Sequence, residues 1–322
     1  MAKYIFRRLL MTVPTIIIIT VIIFVVLRII PGNIVATMFG GTGGGEGMQM
    51  VDPAAIEKLM SDLKLDQPLY VQYSHWIKGL LTGDMGNSFF RGQKVSEIIF
   101  RQGPVTLQIA IMAIALSWII GLPVGILSAS KQDSFADYAS RIFVVLFLAI
   151  PSFWLASLIV LATVSIFEWY PPLFYVHIWD NPIGNLSKTI APAIVLGLGM
   201  AAMIARMSRS TILEVLREDY IRTAMAKGLS SRLIMWRHVI KNALLPVITI
   251  SGIMMGFTLG GSVAVELAFS INGLGLTMLT AIVDKDFNVV QNLVLIYAVA
   301  FVFINLLIDL SYAWADPRIH YQ

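Results

Sequence analysis

The sequence predicts an all-α integral membrane protein: six transmembrane helices, a cytoplasmic helical element, and a small extracytoplasmic subdomain between spans 1 and 2. Three observations predict it. Of the 322 residues, 57% are apolar and only 13% are charged, where soluble domains carry about a quarter charged residues. The apolar residues gather in uncharged runs, and about 20 such residues at 1.5 Å per residue cross a hydrocarbon core of ~30 Å. Lysine and arginine concentrate in alternate connecting segments, as the positive-inside rule requires. Continuous apolar runs also exclude the alternating pattern of a membrane β-barrel.

The runs, in order, are 9–27, 102–130, 142–167, 189–205, 242–265 and 287–308. The first follows Lys3, Arg7 and Arg8 without a small-x-small cleavage site, so it reads as a retained span rather than a signal peptide. The fourth is short, and is expected to continue past Arg206 as a helix. With the N-terminus inside, 14 of the 23 lysines and arginines lie on the inner side, which makes both termini cytoplasmic. This distribution accounts for the net charge of +4 without a nucleic-acid partner; the lipid bilayer is the partner that composition requires.

Residues 1–30 form the N-terminal span, 31–101 an extracytoplasmic loop or subdomain, and 102–322 a core of five spans with a cytoplasmic loop at 206–241. The outer loop opens with the glycine run Gly40–Gly47, too rich in glycine to hold fixed structure. A capped helix follows, with Asp52 at the N-cap and Pro53 in the first turn. The second outer loop carries Trp169, Tyr170, Phe174, Tyr175 and Trp179, placed as interfacial aromatics.

Several chemistries are excluded or disfavoured. There is no cysteine, hence no disulfide, thiolate nucleophile or zinc–cysteine site. No G-x-x-x-x-G-K-[ST] is present, so ATP binding by a P-loop is not expected of this chain. His75, His177, His238 and His320 are scattered without metal-ligand spacing. No clustered acid–base set supports catalysis. Gly252, Gly256 and Gly260 form a small-residue stripe that admits close helix approach, within the bundle or against a partner. Glu266, with Phe269 beyond it, either caps the fifth span or serves as a gate. Asn305 and Asp309 share a face of the sixth span; pairing of Asp309 with Arg206 or Lys241 is weighed above transport chemistry.

Between the fourth and fifth spans, Asp219 is expected to N-cap a short helix that Gly228 ends in a left-handed turn. Ser230 or Ser231 then caps a second helix running through Trp236 and His238. An ordinary solvated basic loop is the alternative, and periodicity does not separate the two.

Here the residues themselves carry a resemblance. Tyr220-Ile-Arg-Thr-Ala-Met-Ala-Lys-Gly-Leu229, Arg237-His238 and Asn242-Ala-Leu-Leu-Pro246 resemble the signature loop of ABC importer permeases of the dipeptide/oligopeptide/nickel branch. Further matches run the length of the chain, among them Arg28-Ile-Ile-Pro-Gly32, Gly83-Asp-Met-Gly86, Gly121-Leu-Pro-Val-Gly125, Pro151-Ser-Phe-Trp154, Gly273-Leu-Gly275 and Asp316-Pro-Arg-Ile319. Arg222 and Thr223 replace the Glu-Ala of the general importer loop, which puts any role of that glutamate in doubt, while Ala224 and Gly228 keep their places. The resemblance implies a cytoplasmic coupling helix and no catalytic residue. It implies a second homologous permease subunit, two P-loop ATPase subunits that bind ATP and Mg, and an extracytoplasmic substrate-binding protein. Tyr220, Arg222, Thr223, Ala224, Lys227, Gly228 and Leu229 are the residues it places at the ATPase. The substrate it implies is a peptide, with oligosaccharide, glutathione or nickel as alternatives, in a bacterial or archaeal inner membrane. A secondary transporter or channel is the competing class; the chain lacks paired interrupted spans and a midplane carboxylate pair to support it.

Overall fold

The computed structural model describes residues 2–29, 66–172 and 174–315. The glycine run 40–47, the helix expected from Asp52 and the motif at 316–319 lie outside the described residues. Among those described, twelve α-helices follow one another: α1 (Ala2–Ile29), α2 (Leu69–Thr82), α3 (Val95–Ser130), α4 (Phe135–Ala149), α5 (Ser152–Phe167), α6 (Pro182–Val215), α7 (Asp219–Ala226), α8 (Ser231–Ile234), α9 (Ile240–Gly261), α10 (Val263–Ala268), α11 (Leu274–Val283) and α12 (Phe287–Ala315). A π-helical turn over Met235–Val239 joins α8 to α9. Five of the described segments are long and apolar enough to cross a membrane, and a sixth if α4 and α5 count as one span.

That pair corrects the expectation of a single run over 142–167. The two helices meet at 97°. Pro151 has no N–H to donate and forces the residue before it out of helical geometry; Ile150 is accordingly extended, at φ −73° and ψ 121°. The fourth run does continue past Arg206, as far as Val215. The fifth run breaks at Ser262, between α9 and α10. Helices α2 and α11 were not anticipated, and α3 begins at Val95, inside the segment assigned to the outer loop.

The chain divides into two compact units. The first comprises Met1–Arg8, Val105–Asn272 and Phe301–Gln322. Its centre is the pair α3–α6. A Cβ on Gly121 would lie 2.5 Å from the Ala201 carbonyl oxygen, and one on Gly125 2.6 Å from the Ser208 Cβ. These glycines let one backbone approach the other. Gln108 meets Asn185 and Gly125 meets Ala205, so residue numbers rise together and the two helices run parallel. Helix α9 joins the pair through Trp118 Nε1 to Ser251 Oγ at 3.0 Å and Thr211 Oγ1 to the Ala243 carbonyl at 3.1 Å. Gly252 and Gly256 pack against Ile308 and Phe301 of α12, while nothing lies within 4 Å of a Cβ on Gly260. The stripe is thus a packing face inside the unit at two of its three positions.

The second unit comprises Leu9–Pro104 and Gly273–Ala300. Val95 and Ile98 of α3 pack with Leu274 and Ala281 of α11 and Leu293 of α12. Phe24, Tyr73 and Trp76 form an aromatic cluster between α1 and α2. Arg28 reaches Gln291 at 3.0 Å and stacks its guanidinium 4.3 Å from the Phe24 ring centre. The turn preceding α3 closes through the bridge Asn87–Lys94 and a buried bond from Ser88 Oγ to Asp286 at 2.5 Å.

Candidate functional site

Helix α7 owes its position to an apolar underside. Ile221 and Ala224 are three residues apart, which places them on one helix face. Both are buried in a cluster with Ala129, Ile212, Ile234, Val239 and Ala243. The surface around that face is open: Tyr220, Arg222, Thr223 and Met225 of α7, and Lys227 and Leu229 just beyond its end, are all exposed. Ala224 therefore anchors the helix and does not present itself, whereas the other six predicted residues lie at the surface. Tyr220 is steadied by a bond from Asn242 Nδ2 to its hydroxyl at 2.8 Å.

The N-terminus of α7 differs from expectation. Glu218 occupies the N-cap position without a side-chain cap, and Asp219 sits in the first turn. There it favours the positive end of the helix dipole and faces Arg222 at 3.3 Å. The C-terminus is as predicted. Gly228 has φ +77°; its N–H donates to the Met225 carbonyl at 2.9 Å, and that of Leu229 to the Ala224 carbonyl at 3.3 Å. These two bonds are the Schellman pattern, which needs a left-handed residue at the position of Gly228. Ser230 then caps α8 through the Leu233 N–H at 3.4 Å. The segment is a helix–turn–helix held from beneath, not a solvated loop.

Beside α7 lies a groove of about 520 Å³, lined by Arg209, Ser210, Leu213, Glu214, Arg217, Glu218 and Asp219. Three acids and two arginines give it a mixed, strongly polar wall. Arg209, at its edge, is held by a group that sequence reasoning missed. Asp137, fully buried in the first turn of α4, accepts from Arg209 Nε at 2.9 Å and Nη2 at 3.0 Å. It also accepts from Arg141 Nη2 at 2.5 Å, Ser128 Oγ at 2.5 Å and the Asp133 N–H at 3.0 Å. The available signal was the i, i+4 pair Asp137 and Arg141, one helix face carrying charge beside an apolar run.

The remaining predicted residues sit elsewhere in the first unit. Glu266 is 1% exposed within α10 and accepts from Thr106 Oγ1 at 3.0 Å and Ser262 Oγ at 2.9 Å. Phe269 is buried in the cluster of Val105, Ile109 and Val265. Nearby, Gln108 accepts from the Tyr175 hydroxyl at 3.0 Å and from Asn185 Nδ2 at 3.1 Å, and donates to Thr189 at 3.3 Å. Burial raises the Tyr175 phenol above its ordinary pKa, which keeps it protonated as a donor. His177 stacks on Trp179 with ring centres 4.9 Å apart, while Tyr170 and Phe174 are exposed. Asp309 pairs with Arg8 of α1, not with Arg206 or Lys241. Arg8 precedes the first run by a single residue, which places it where the end of α12 passes. No group of three metal-ligating side chains occurs among the described residues.

Residues 121–321 match the family model "Binding-protein-dependent transport system inner membrane component", and residues 1–110 match the model of its N-terminal region. The dipeptide transport system permease protein of Alkalihalophilus pseudofirmus is 37% identical over 341 aligned residues, covering all of both chains. The oligopeptide transport system permease protein of Bacillus subtilis is 36% identical, again with both chains fully covered. In fold, the chain is similar to the MetNI methionine ABC transporter in inward-facing form, with a TM-score of 0.51 and 21% identity over 68% of this chain and 96% of that one. A similar likeness holds to an amino acid ABC transporter crystallised with histidines, with a TM-score of 0.52 and 15% identity over 67% of this chain and 93% of that one.

Proposed function

The chain belongs to the binding-protein-dependent transport system inner membrane component family and is a membrane-spanning permease, and from that premise we propose the machine around it. It forms half of a translocation pathway for peptides, completed by a second homologous permease. Two P-loop ATPases, which bind ATP and Mg, dock on the cytoplasmic face, and an extracytoplasmic binding protein delivers the peptide. Both termini lie on the cytoplasmic side.

The observation that carries this reading is the two-sided construction of α7. Its underside is built into the core through Ile221 and Ala224, while Tyr220, Arg222 and Met225 around it, with Lys227 and Leu229 just beyond its end, are exposed to a partner. An aromatic ring, a guanidinium and apolar side chains exposed on one short element suit a protein interface. Displacement of α7 by the ATPases is carried by packed side chains into α6, because a close-packed interior deforms as discrete bodies and not as a fluid. The permease then alternates between inward- and outward-facing states without chemistry of its own. Glu266, bonded to α3 through Thr106, restrains the outer part of the pathway.

The test is reconstitution of the chain with its partner permease, binding protein and ATPases in liposomes. ATP-dependent uptake of a di- or oligopeptide is the expected result; uptake by this chain alone, without ATP, overturns the reading. Gly228→Val separates the lever from the rest. A Cβ there meets nothing within 4 Å, so the penalty is conformational: the left-handed region costs an L-residue about 1–2 kcal/mol and a β-branched residue more. ATPase co-purification and uptake are expected to fall at least about tenfold, on the scale of 1.4 kcal/mol per decade, whereas Gly228→Asn, which tolerates this conformation, retains most of both.

A further inference from the structure

Helix α7 packs through Ile221 and Ala224 on residues of α3, α6, α8 and α9, and α6 in turn packs on α4, to which one buried carboxylate joins it. Asp137 is fully buried, and six donor atoms converge on it: two from Arg209, one each from Arg141, Ser128 and the Asp133 backbone at 3.0 Å or less, and a second from Arg141, its Nε, at 3.2 Å. They come from the end of α3, the turn after it, α4 itself and α6. Arg209 also lines the groove shared by Arg217, Glu218 and Asp219, where α7 begins. Ile212, one turn along α6 from Arg209, packs in the cluster that holds Ile221 and Ala224. The same stretch of α6 therefore faces the ATPase-docking helix with apolar side chains and grips α4 with a charged one.

We propose that Asp137 is a positioning residue for energy coupling: its forked ion pair with Arg209 makes α4 follow α6 when α7 is displaced. The proposal rests on the assignment of α7 as the ATPase-docking element. Geometry favours a transmitting role over simple ballast. A guanidinium fork held by both carboxylate oxygens resists rotation as well as separation, which a single contact does not. Apolar packing alone lets helices shear. Helix α4 leads directly into the 97° bend at Pro151, so a rotation imposed at its first turn is passed to the orientation of α5. Neutral hydrogen bonding at the same place would keep the helices in contact without fixing their mutual rotation.

The experiment uses the full reconstituted importer and measures three quantities: ATPase co-purification, ATP hydrolysis, and peptide uptake per ATP hydrolysed. The variants are Asp137→Asn and Arg209→Lys, the second keeping charge and volume while losing the fork. Both are expected to bind ATPases at the wild-type level and to hydrolyse ATP within about threefold of wild type. Uptake per ATP should fall about tenfold or more. Asp137→Asn combined with Arg209→Lys should lose no more than either single change, because one link is already broken. Wild-type uptake per ATP in Arg209→Lys overturns the proposal, as does loss of uptake strictly proportional to loss of assembled complex in both variants. Failure of the underlying assignment reads differently: the wild-type chain would then show no ATPase dependence at all.

Discussion

Along the parallel pair α3–α6, the N-terminal ends are joined by neutral groups, Gln108 with Asn185, Thr189 and Tyr175. The C-terminal ends are joined through Asp137, with Arg209 and Arg141 sharing one carboxylate. Between them the backbones meet at Gly121 and Gly125. The difference lies in what each end tolerates. An amide cluster divides its energy among several bonds of about 1 kcal/mol, each replaceable by another local partner. A buried carboxylate is stable only while its cations remain, and removing it strands them. The neutral end secures α6 to the loop of Tyr175; the charged end commits α6 to α4.

That contrast is open to direct challenge. Asp137→Ala should produce the largest loss, about 3 kcal/mol, at the low end of the range for a broken buried pair because Arg141 and Arg209 keep partial access to water. Chemical unfolding in detergent, followed by tryptophan fluorescence, would show it as a lower midpoint. Gly121→Val should follow at about 1–3 kcal/mol, since its side chain must displace the Ala201 backbone and not a flexible tip; Gly260→Val, with open space around it, is the matched control and should stay within about 1 kcal/mol, near the helix-propensity difference. Gln108→Leu should lose about 1–2 kcal/mol by stranding Asn185 and the Tyr175 hydroxyl. Ser128→Ala, removing one of the donors to Asp137, should cost about 1 kcal/mol or less. If Gln108→Leu proved more damaging than Asp137→Ala in the same assay, the ranking of the two ends would be reversed.

The membrane class was legible because a hydrocarbon core admits only long apolar helices, and the runs advertise it. The turn after α7 was legible because Gly228 and Ser230 act locally, through a left-handed turn and a cap that depend on neighbours within five residues. What escaped was non-local. Pro151 was visible, yet a proline inside an apolar run kinks some helices and ends others, and the 97° bend follows from the packing on either side of it. Asp309 was rightly read as a group in need of a partner, but Arg8 lies 301 positions away in sequence, and no pattern in either segment names the other. The same holds for Asp137 with Arg209, 72 positions apart.

By itself, then, the sequence determined that this chain crosses a membrane in helices, and through Gly228 and Ser230 it marked the turn and cap of a basic segment between two of them. Both are consequences of local backbone satisfaction and short-range stereochemistry. Only the tertiary structure decided which face of that element is anchored and which is offered, and which charge ties α6 to α4. Those outcomes depend on which distant side chains must share the same low-dielectric space, and a buried charge accepts only the partner that folding brings to it.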